Sequence, residues 1–246
     1  MVTLDRARLP RHVAIIMDGH GRWAPQHAFG RITGHKRGAQ AVRMTVETCR
    51  EIGIACLTLY AFSQENWQRP REEVQALMRL LEDYLKTEID RMMENDIRLV
   101  AIGETGRLPD RVRELLAECR TKTENNRSMI LNLALSYGGR DEILFAVRRI
   151  AREAARGLLD PETLTPERFS RYLFTADLPD PDLLIRTSGE YRVSNFLLWQ
   201  MAYTEFYFTD VLWPDFDKRH LLEAIADYQR RERRFGLTHE QLSSKE

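Results

Sequence analysis

Short, almost uninterrupted apolar runs alternate along this chain with longer amphipathic stretches. Residues 13–17, 56–62, 97–102, 129–135 and 183–185 read as strands, and 206–208 as a sixth. Between and after them, 38–52, 72–95, 109–125 and 141–156 carry helical periodicity, and a last helix is expected over 218–234, stopped by Gly236. A strand that is apolar at consecutive positions must be buried on both faces, which happens when helices cover a parallel sheet from both sides. The expectation is therefore an α/β fold, a single domain with a mostly parallel six-stranded sheet flanked by helices. No repeat, low-complexity segment or long linker divides the 246 residues. Residues 1–8 and 238–246 are expected as flexible tails.

The strand reading also sorts the polar residues. Asp18-Gly-His-Gly21 follows the first run, Ser63-Gln-Glu-Asn-Trp-Gln-Arg69 the second, and Gly103-Glu-Thr105 the third. Tyr137-Gly-Gly-Arg140 follows the fourth and Arg186-Thr-Ser-Gly-Glu190 the fifth. Open α/β sheets bind ligands outside the carboxyl ends of their strands, where loops and helix N-termini converge. All these clusters fall on that edge, as one site assembled from the whole chain.

Charge narrows the ligand. Lysine and arginine number 37, aspartate and glutamate 37, so the net charge is zero, which argues against a broad nucleic-acid surface. The balance is local rather than uniform: residues 5–43 hold eight basic groups against two acidic, and 72–104 nine acidic against four basic. Solvated helix faces explain much of this, but an anion held near the N-terminal segment is the alternative. No run reaches the ~18–20 apolar residues of a membrane span, and no signal segment opens the chain. Cys49, Cys56 and Cys119 lack metal-ligand spacing, so a reducing, cytoplasmic setting is the default expectation.

Gly19-His-Gly21-Arg-Trp-Ala24 matches the loose GxGxxA pattern of dinucleotide folds, but Arg22 and Trp23 crowd the turn and the next strand ends too far on for that fingerprint. A turn whose backbone N–H groups cradle phosphate is the better reading. Asp18 would repel a phosphate unless a divalent cation lay between them, and magnesium takes one or two carboxylates together with phosphate oxygens. Arg31 and His35 add donors suited to phosphate, whereas Lys36 and Arg37 read as surface charges. His12, His27, His220 and His239 read as structural or exposed, and a zinc site from His20, His27 and His35 lacks the usual spacing. The segment from Ser63 to Arg69 caps a turn before a helix, yet Asn66, Trp67 and Arg69 exceed what capping needs. Arg186 and Arg192, with the hydroxyls around them, form a second anion pocket. Two arginine-bearing pockets suggest two phosphorylated substrates. The stretch from Phe196 to Tyr203 reads as core.

Laid out in order, these segments resemble the cis-prenyltransferase family: "HVAIIMDGHGRWA", "GHKRGA", "LTLYAFSQENWQRP", "LNLALSYGGRDEI", "DLLIRTSGEYRVSNFLLWQMAYTEFYFTDVLWPDF" and "RERRFG". The similarity covers about residues 9–236, and the aspartate-rich DDxxD motif of the all-helical trans-prenyltransferases is absent. The resemblance implies a magnesium-dependent condensation of isopentenyl diphosphate units onto an allylic diphosphate such as farnesyl diphosphate. The product would be a long Z-polyprenyl diphosphate, the undecaprenyl carrier of cell-wall synthesis. It implies Mg2+ on Asp18 and Glu205, with Asp18 assisting diphosphate departure and Asn66 handling a proton. Gly19, His20, Gly21, Arg22, Trp23, Arg31 and His35 would serve the allylic diphosphate. Ser63, Gln64, Glu65, Trp67 and Arg69 would shape the reacting centre. Arg186, Tyr191, Arg192, Val193 and Ser194 would serve the isopentenyl diphosphate. It further implies a homodimer, with Glu205 and residues 233–236 near the partner's site, and a product delivered to the membrane surface.

An allylic cation needs a water-poor apolar tunnel, for which Ala61, Met129 and Leu131 are candidate lining. Two positions depart from the family's usual pattern: His20 stands where asparagine is common, and Tyr191 occupies a variable position. A non-catalytic scaffold subunit of such an enzyme should lack the aspartate and the arginines that this chain keeps. A nucleotide-binding α/β protein is the third alternative.

Overall fold

In a computed structural model of the chain, residues 3–26 and 31–233 are described, with no account of the side chains of 24–36. Six strands form one sheet in the order β3-β4-β2-β1-β5-β6, and every neighbouring pair is parallel. They are β1 (His12–Ile16), β2 (Cys56–Ser63), β3 (Ile97–Ile102), β4 (Met129–Tyr137), β5 (Leu183–Arg186) and β6 (Glu205–Phe208). The helices are α1 (His20–Gln26), α2 (Arg31–Ile52), α3 (Arg71–Glu94), α4 (Asp110–Thr123), α5 (Gly139–Ala155), α6 (Pro166–Ser170) and α7 (Lys218–Gln229). The six expected strands are all present, and the sheet is wholly rather than mostly parallel.

Burial follows the period of two that a strand imposes. Val13, Ile15, Leu57, Leu59, Leu131, Leu133, Leu183 and Ile185 point into a large core beneath α2, α3, α4 and α7. Ala14, Ile16, Ala134 and Leu184 point into a smaller core with Phe196, Leu197 and Met201. The 196–203 stretch is thus core at three positions, while Trp199 and Tyr203 are exposed. Between the faces, the imidazole of buried His12 lies 2.7 Å from both the Pro179 carbonyl and the Thr58 hydroxyl. Burial outweighs those bonds and lowers its pKa to about 4, so the ring is neutral and structural.

Two irregularities sit at the carboxyl edge. In β2, Tyr60 pairs with Ala134 and Phe62 with Leu135, leaving Ala61 as an extra residue, a bulge that bends the strand. In β4, Ser136 is left-handed at φ 48°, which turns Tyr137 from the large core to the smaller one. Such conformations cost of order 1–3 kcal/mol in a residue with a side chain and cluster where ligands bind.

Three expected boundaries move. Helix α2 begins at Arg31, seven residues early, because its glycines hid the periodicity. Helix α7 ends at Gln229, where Arg230 closes the turn and Arg231 reaches Asp227 and Glu205; Gly236 lies outside the described residues. At the start of the chain, where 1–8 is expected as a loose tail, Asp5 exchanges backbone–side-chain hydrogen bonds with Gln229; residues 1 and 2 lie outside the described residues. Residues 238–246, like His27 and His239, lie outside the described residues.

Candidate active site

Beyond the end of β1, Asp18 is fixed from all sides. Its N–H donates to the Thr187 hydroxyl at 2.9 Å, and that hydroxyl donates to the Asp18 carbonyl at 2.7 Å. The carboxylate accepts the Gly19 N–H at 2.7 Å on Oδ1 and the Arg186 guanidinium at 2.8 Å on Oδ2. Burial works against its ionisation, but the Arg186 and Gly19 hydrogen bonds and the Arg186 and Arg22 charges prevail, holding it below the usual carboxylate range. Thr187 is a member that the sequence reading did not single out; its only signal is adjacency to Arg186.

Gly19 makes the turn. Its φ of +108° suits glycine, and a Cβ there would stand 2.9 Å from Leu212 Cδ2. Helix α1 then starts at His20, whose ring lies against Gly38 of α2: a Cβ on Gly38 would meet the imidazole Nε2 at 2.3 Å. The same Gly38 carbonyl accepts from the Trp213 indole at 3.1 Å.

Beyond β5, the chain from Ser188 to Leu197 is wound through left-handed positions at Ser188, Gly189, Ser194, Asn195 and Leu197. This winding folds the loop back over Arg186, whose guanidinium bonds the Arg192 carbonyl and the Ser194 hydroxyl besides Asp18. Its Nε is buried with no hydrogen-bond partner, an orphan donor in a residue that is 2% exposed. Glu190 joins the two neighbouring arginines, pairing with Arg22 at 3.1 Å and with Arg192. Arg22 also donates to Ser188 at 2.6 Å.

The loop after β2 locks onto these two. Asn66 accepts the Ser63 N–H at 3.0 Å, and its own N–H donates to the Ser63 hydroxyl. Glu65 accepts from the Asn195 amide at 2.9 Å; despite partial burial, that bond helps hold it below its ordinary pKa. The Tyr60 hydroxyl donates to the Tyr137 carbonyl, and Gln64 donates to the Ser136 carbonyl at 2.9 Å. Arg69 pairs with Glu73 at 3.1 Å. Tyr60, Ser136 and Asn195 were legible only as neighbours of flagged residues.

A pocket of about 350 Å³ opens between these loops, lined by Asp18, Gly19, His20, Gly21, Arg22, Asn66 and Arg69 among others. Directly inward lies an apolar cavity of about 110 Å³ between the sheet, α2 and α3, and Met17, His20, Ala61 and Leu77 line both. Ala61 is a lining residue as expected, but Met129 and Leu131 are packed in the core. Leu133 and Leu135, nearer the carboxyl end of β4, take their place, because the space opens only where the bulge and the two helices part.

Several expected site residues stand elsewhere. Trp23 is 4% exposed, and Trp67 stacks edge-on to Phe62 and donates to Ser136; neither lines the pocket or the apolar cavity. Tyr191 is 76% exposed and leans on Phe208, the register partner of Arg186 in β6. Val193 packs against the smaller core. Arg31 and His35 lie in α2, with side chains outside what the structure describes. Glu205 is not brought to Asp18 within one chain. It pairs in register with Leu183, which pairs with Val13, five residues before Asp18, so about 16 Å of strand separates them along the sheet. Its carboxylate is held by Arg231 at 2.9 Å.

Asp18 is thus the one carboxylate among the described residues that both lines this pocket and touches a buried arginine, and no cluster of three acidic, histidine or cysteine groups forms a closed metal cage there. A single carboxylate beside arginines suits a magnesium ion that draws its other ligands from phosphate oxygens and water. The prenyltransferase family model for undecaprenyl diphosphate synthase matches residues 16–236. The chain belongs to that prenyltransferase family. This prenyltransferase is 53% identical to the isoprenyl transferase of Geobacter sulfurreducens over 97% of both chains. It is likewise 53% identical to that of Geobacillus kaustophilus, over 94% of this chain and 90% of the relative. Among solved structures it superposes on lavandulyl diphosphate synthase from Lavandula x intermedia in complex with dimethylallyl diphosphate. That TM-score is 0.91 at 39% identity, covering 94% of this chain and 99% of the other. A Campylobacter jejuni protein described as a probable undecaprenyl diphosphate synthase gives a TM-score of 0.75 at 37% identity, covering 92% and 98%. Among the described residues, no helix of the prenyltransferase is long and apolar enough to cross a membrane.

Proposed function

We propose that this prenyltransferase condenses isopentenyl diphosphate units onto an allylic diphosphate, farnesyl diphosphate in the first instance, to give a long Z-polyprenyl diphosphate. The observation that carries the reading is the junction of a charged pocket and an apolar cavity through four shared lining residues. A diphosphate bearing a hydrocarbon tail is divided in the same way.

The residues suggest a division of labour. Gly19, Gly21 and Arg22 at the start of α1 bind the allylic diphosphate, with Arg69 on the opposite wall. Arg186, Arg192 and Ser194 take the isopentenyl diphosphate, and the buried, unpartnered Arg186 Nε is the donor waiting for it. The allylic C–O bond breaks as the diphosphate leaves, so arginines already fixed in place stabilise the charge that develops on it. Asp18 would hold magnesium, which supplies Lewis-acid stabilisation of the departing diphosphate when bound. The apolar cavity keeps water from the allylic carbon. Asn66, anchored through Ser63, is placed on the pocket wall, where its amide can take part in proton handling.

The homodimer belongs to the same proposal. Glu205 is remote from Asp18 within one chain, so a metal-related role for it requires a second copy. An apolar surface is available for one: Leu144, Phe145 and Val147 on α5, with Trp199, Tyr203 and Phe206, are all exposed. Release of a long lipid product would take place at the cytoplasmic membrane surface, where it would serve as the cell-wall carrier.

Purified protein with magnesium, farnesyl diphosphate and labelled isopentenyl diphosphate should yield labelled, solvent-extractable polyprenyl diphosphate. Folded protein that incorporates no label under those conditions would sink the reading.

A further inference from the structure

Among the described residues, polar ties between α2 and α3 gather at the end of the apolar cavity away from the charged pocket. Near the charged pocket, α2 and α3 face each other across the cavity through Ala39, Val42, Leu77 and Leu81. At the other end the same helices are joined by polar ties. Arg43 of α2 grips Glu88 of α3 with both its Nε and Nη2. Arg91 reaches Glu47 at 3.4 Å, and Arg50 donates to the Asn95 carbonyl at 2.7 Å.

Tyr84 stands between the two regions. It lines the 110 Å³ cavity and, on its other side, a second space of about 20 Å³ that it shares with Arg43 and Glu88. A space of that size has room for about one water molecule and none for an alkyl chain. A tail entering from the charged pocket therefore meets Tyr84 and then a saturated ion pair. Glu88 is 5% exposed, and threading an alkyl chain past it means either parting the pair or burying a carboxylate against hydrocarbon, which is costly.

We propose that the Arg43–Glu88 ion pair, backed against Tyr84, is the stop that limits the length of the chain this cavity accepts. The proposal rests on the condensation reading above and names a specificity determinant for it. The pair touches neither the charged pocket nor the reacting atoms, so it acts on where elongation ends and not on how the first unit is added.

The test is the product distribution from farnesyl diphosphate and labelled isopentenyl diphosphate, resolved by reversed-phase chromatography. It compares wild type, Glu88→Gln, Arg43→Glu and the charge-swapped double variant R43E/E88R, together with the rate of the first condensation. The single variants should give products longer by one isoprene unit or more at an unchanged first-condensation rate, and the double variant should return the wild-type distribution. Arg43→Gln, altering a side chain that is 40% exposed, keeps the test available if Glu88→Gln does not fold. Folded, active single variants with unchanged or shorter products would overturn the proposal alone. A wild-type protein that condenses nothing would overturn the functional reading and this proposal together.

Discussion

Two ion pairs in this molecule are built in opposite senses. In Asp18–Arg186 the cation is buried, its side chain 3% exposed, while the carboxylate keeps 34%. In Arg43–Glu88 the carboxylate is buried at 6% and the guanidinium reaches in from a side chain 40% exposed. The second pair is saturated: Glu88 also takes contacts from Thr87 and Arg91, so the buried charge has no unmet demand. The first is not, because Arg186 keeps an unpartnered Nε beneath a loop held in left-handed conformations. A buried cation with spare donors and a half-open anion beside it is a place for a second anion; a buried anion with every oxygen engaged is a fastener.

Substitutions should separate the two roles. The largest effect is expected at Asp18: Asp18→Asn should lower turnover by about a hundredfold or more, the scale on which a single preorganised electrostatic group acts, with the melting temperature nearly unchanged. Unfolding of that variant in thermal melts would recast Asp18 as a structural member like Glu88. At the fastener the weight falls on stability. Arg43→Ala should cost about 1–3 kcal/mol in urea unfolding and leave the first condensation intact; a large loss of first-condensation rate would erase the distinction.

A smaller effect is expected at the contact joining the regions. Gly38→Ala drives a methyl into the His20 ring, which must shift and narrow the passage between pocket and cavity. The Michaelis constant for the allylic substrate should rise several-fold, and a variant that also carries His20→Ala should recover.

The smallest is the acid dependence of the first pair. The Asp18 pKa is lowered in the fold: burial opposes ionisation, and the Arg186 and Gly19 hydrogen bonds prevail. Its contribution is therefore complete above the unfolded value of about 3.9 and lost as pH falls through the folded value. The stability difference between wild type and Asp18→Asn should be flat from neutrality to about pH 5 and shrink below about pH 4, by less than about 1 kcal/mol for so open a carboxylate. A difference that grows in acid would reverse the sign of the argument.

The contrast also explains what could be read from the chain beforehand. Strands announce themselves because a sheet covered on both faces demands apolar residues at consecutive positions, and the polar clusters fall at the carboxyl edge because the parallel topology leaves them nowhere else. Pairings across the chain leave no such trace. Asp18 and Arg186 read from the sequence as parts of separate pockets, yet they touch across 168 residues, and no periodicity encodes that. Tyr191 sits in the right loop but turns to Phe208, a choice made by left-handed residues on both sides of it. Glu205 lies in a motif with site residues, yet strand register carries it to the other end of the sheet. The bulge at Ala61, which opens the cavity where Leu133 and Leu135 line it, is one extra residue in an otherwise regular apolar run. Arg43 and Glu88 carry no sequence signal of their own, because charged residues on amphipathic helices are ordinarily solvated.

The most direct test is a calorimetric titration of isopentenyl diphosphate, without metal, into wild type, Arg186→Gln and Asp18→Asn, each shown to be folded by thermal melting. If Arg186 is a buried cation held ready by a carboxylate, Arg186→Gln should lose about a hundredfold in affinity or more. Asp18→Asn, which removes a competing anion, should then bind at least as tightly as wild type even though it turns over slowly. Undiminished binding by Arg186→Gln would contradict the account.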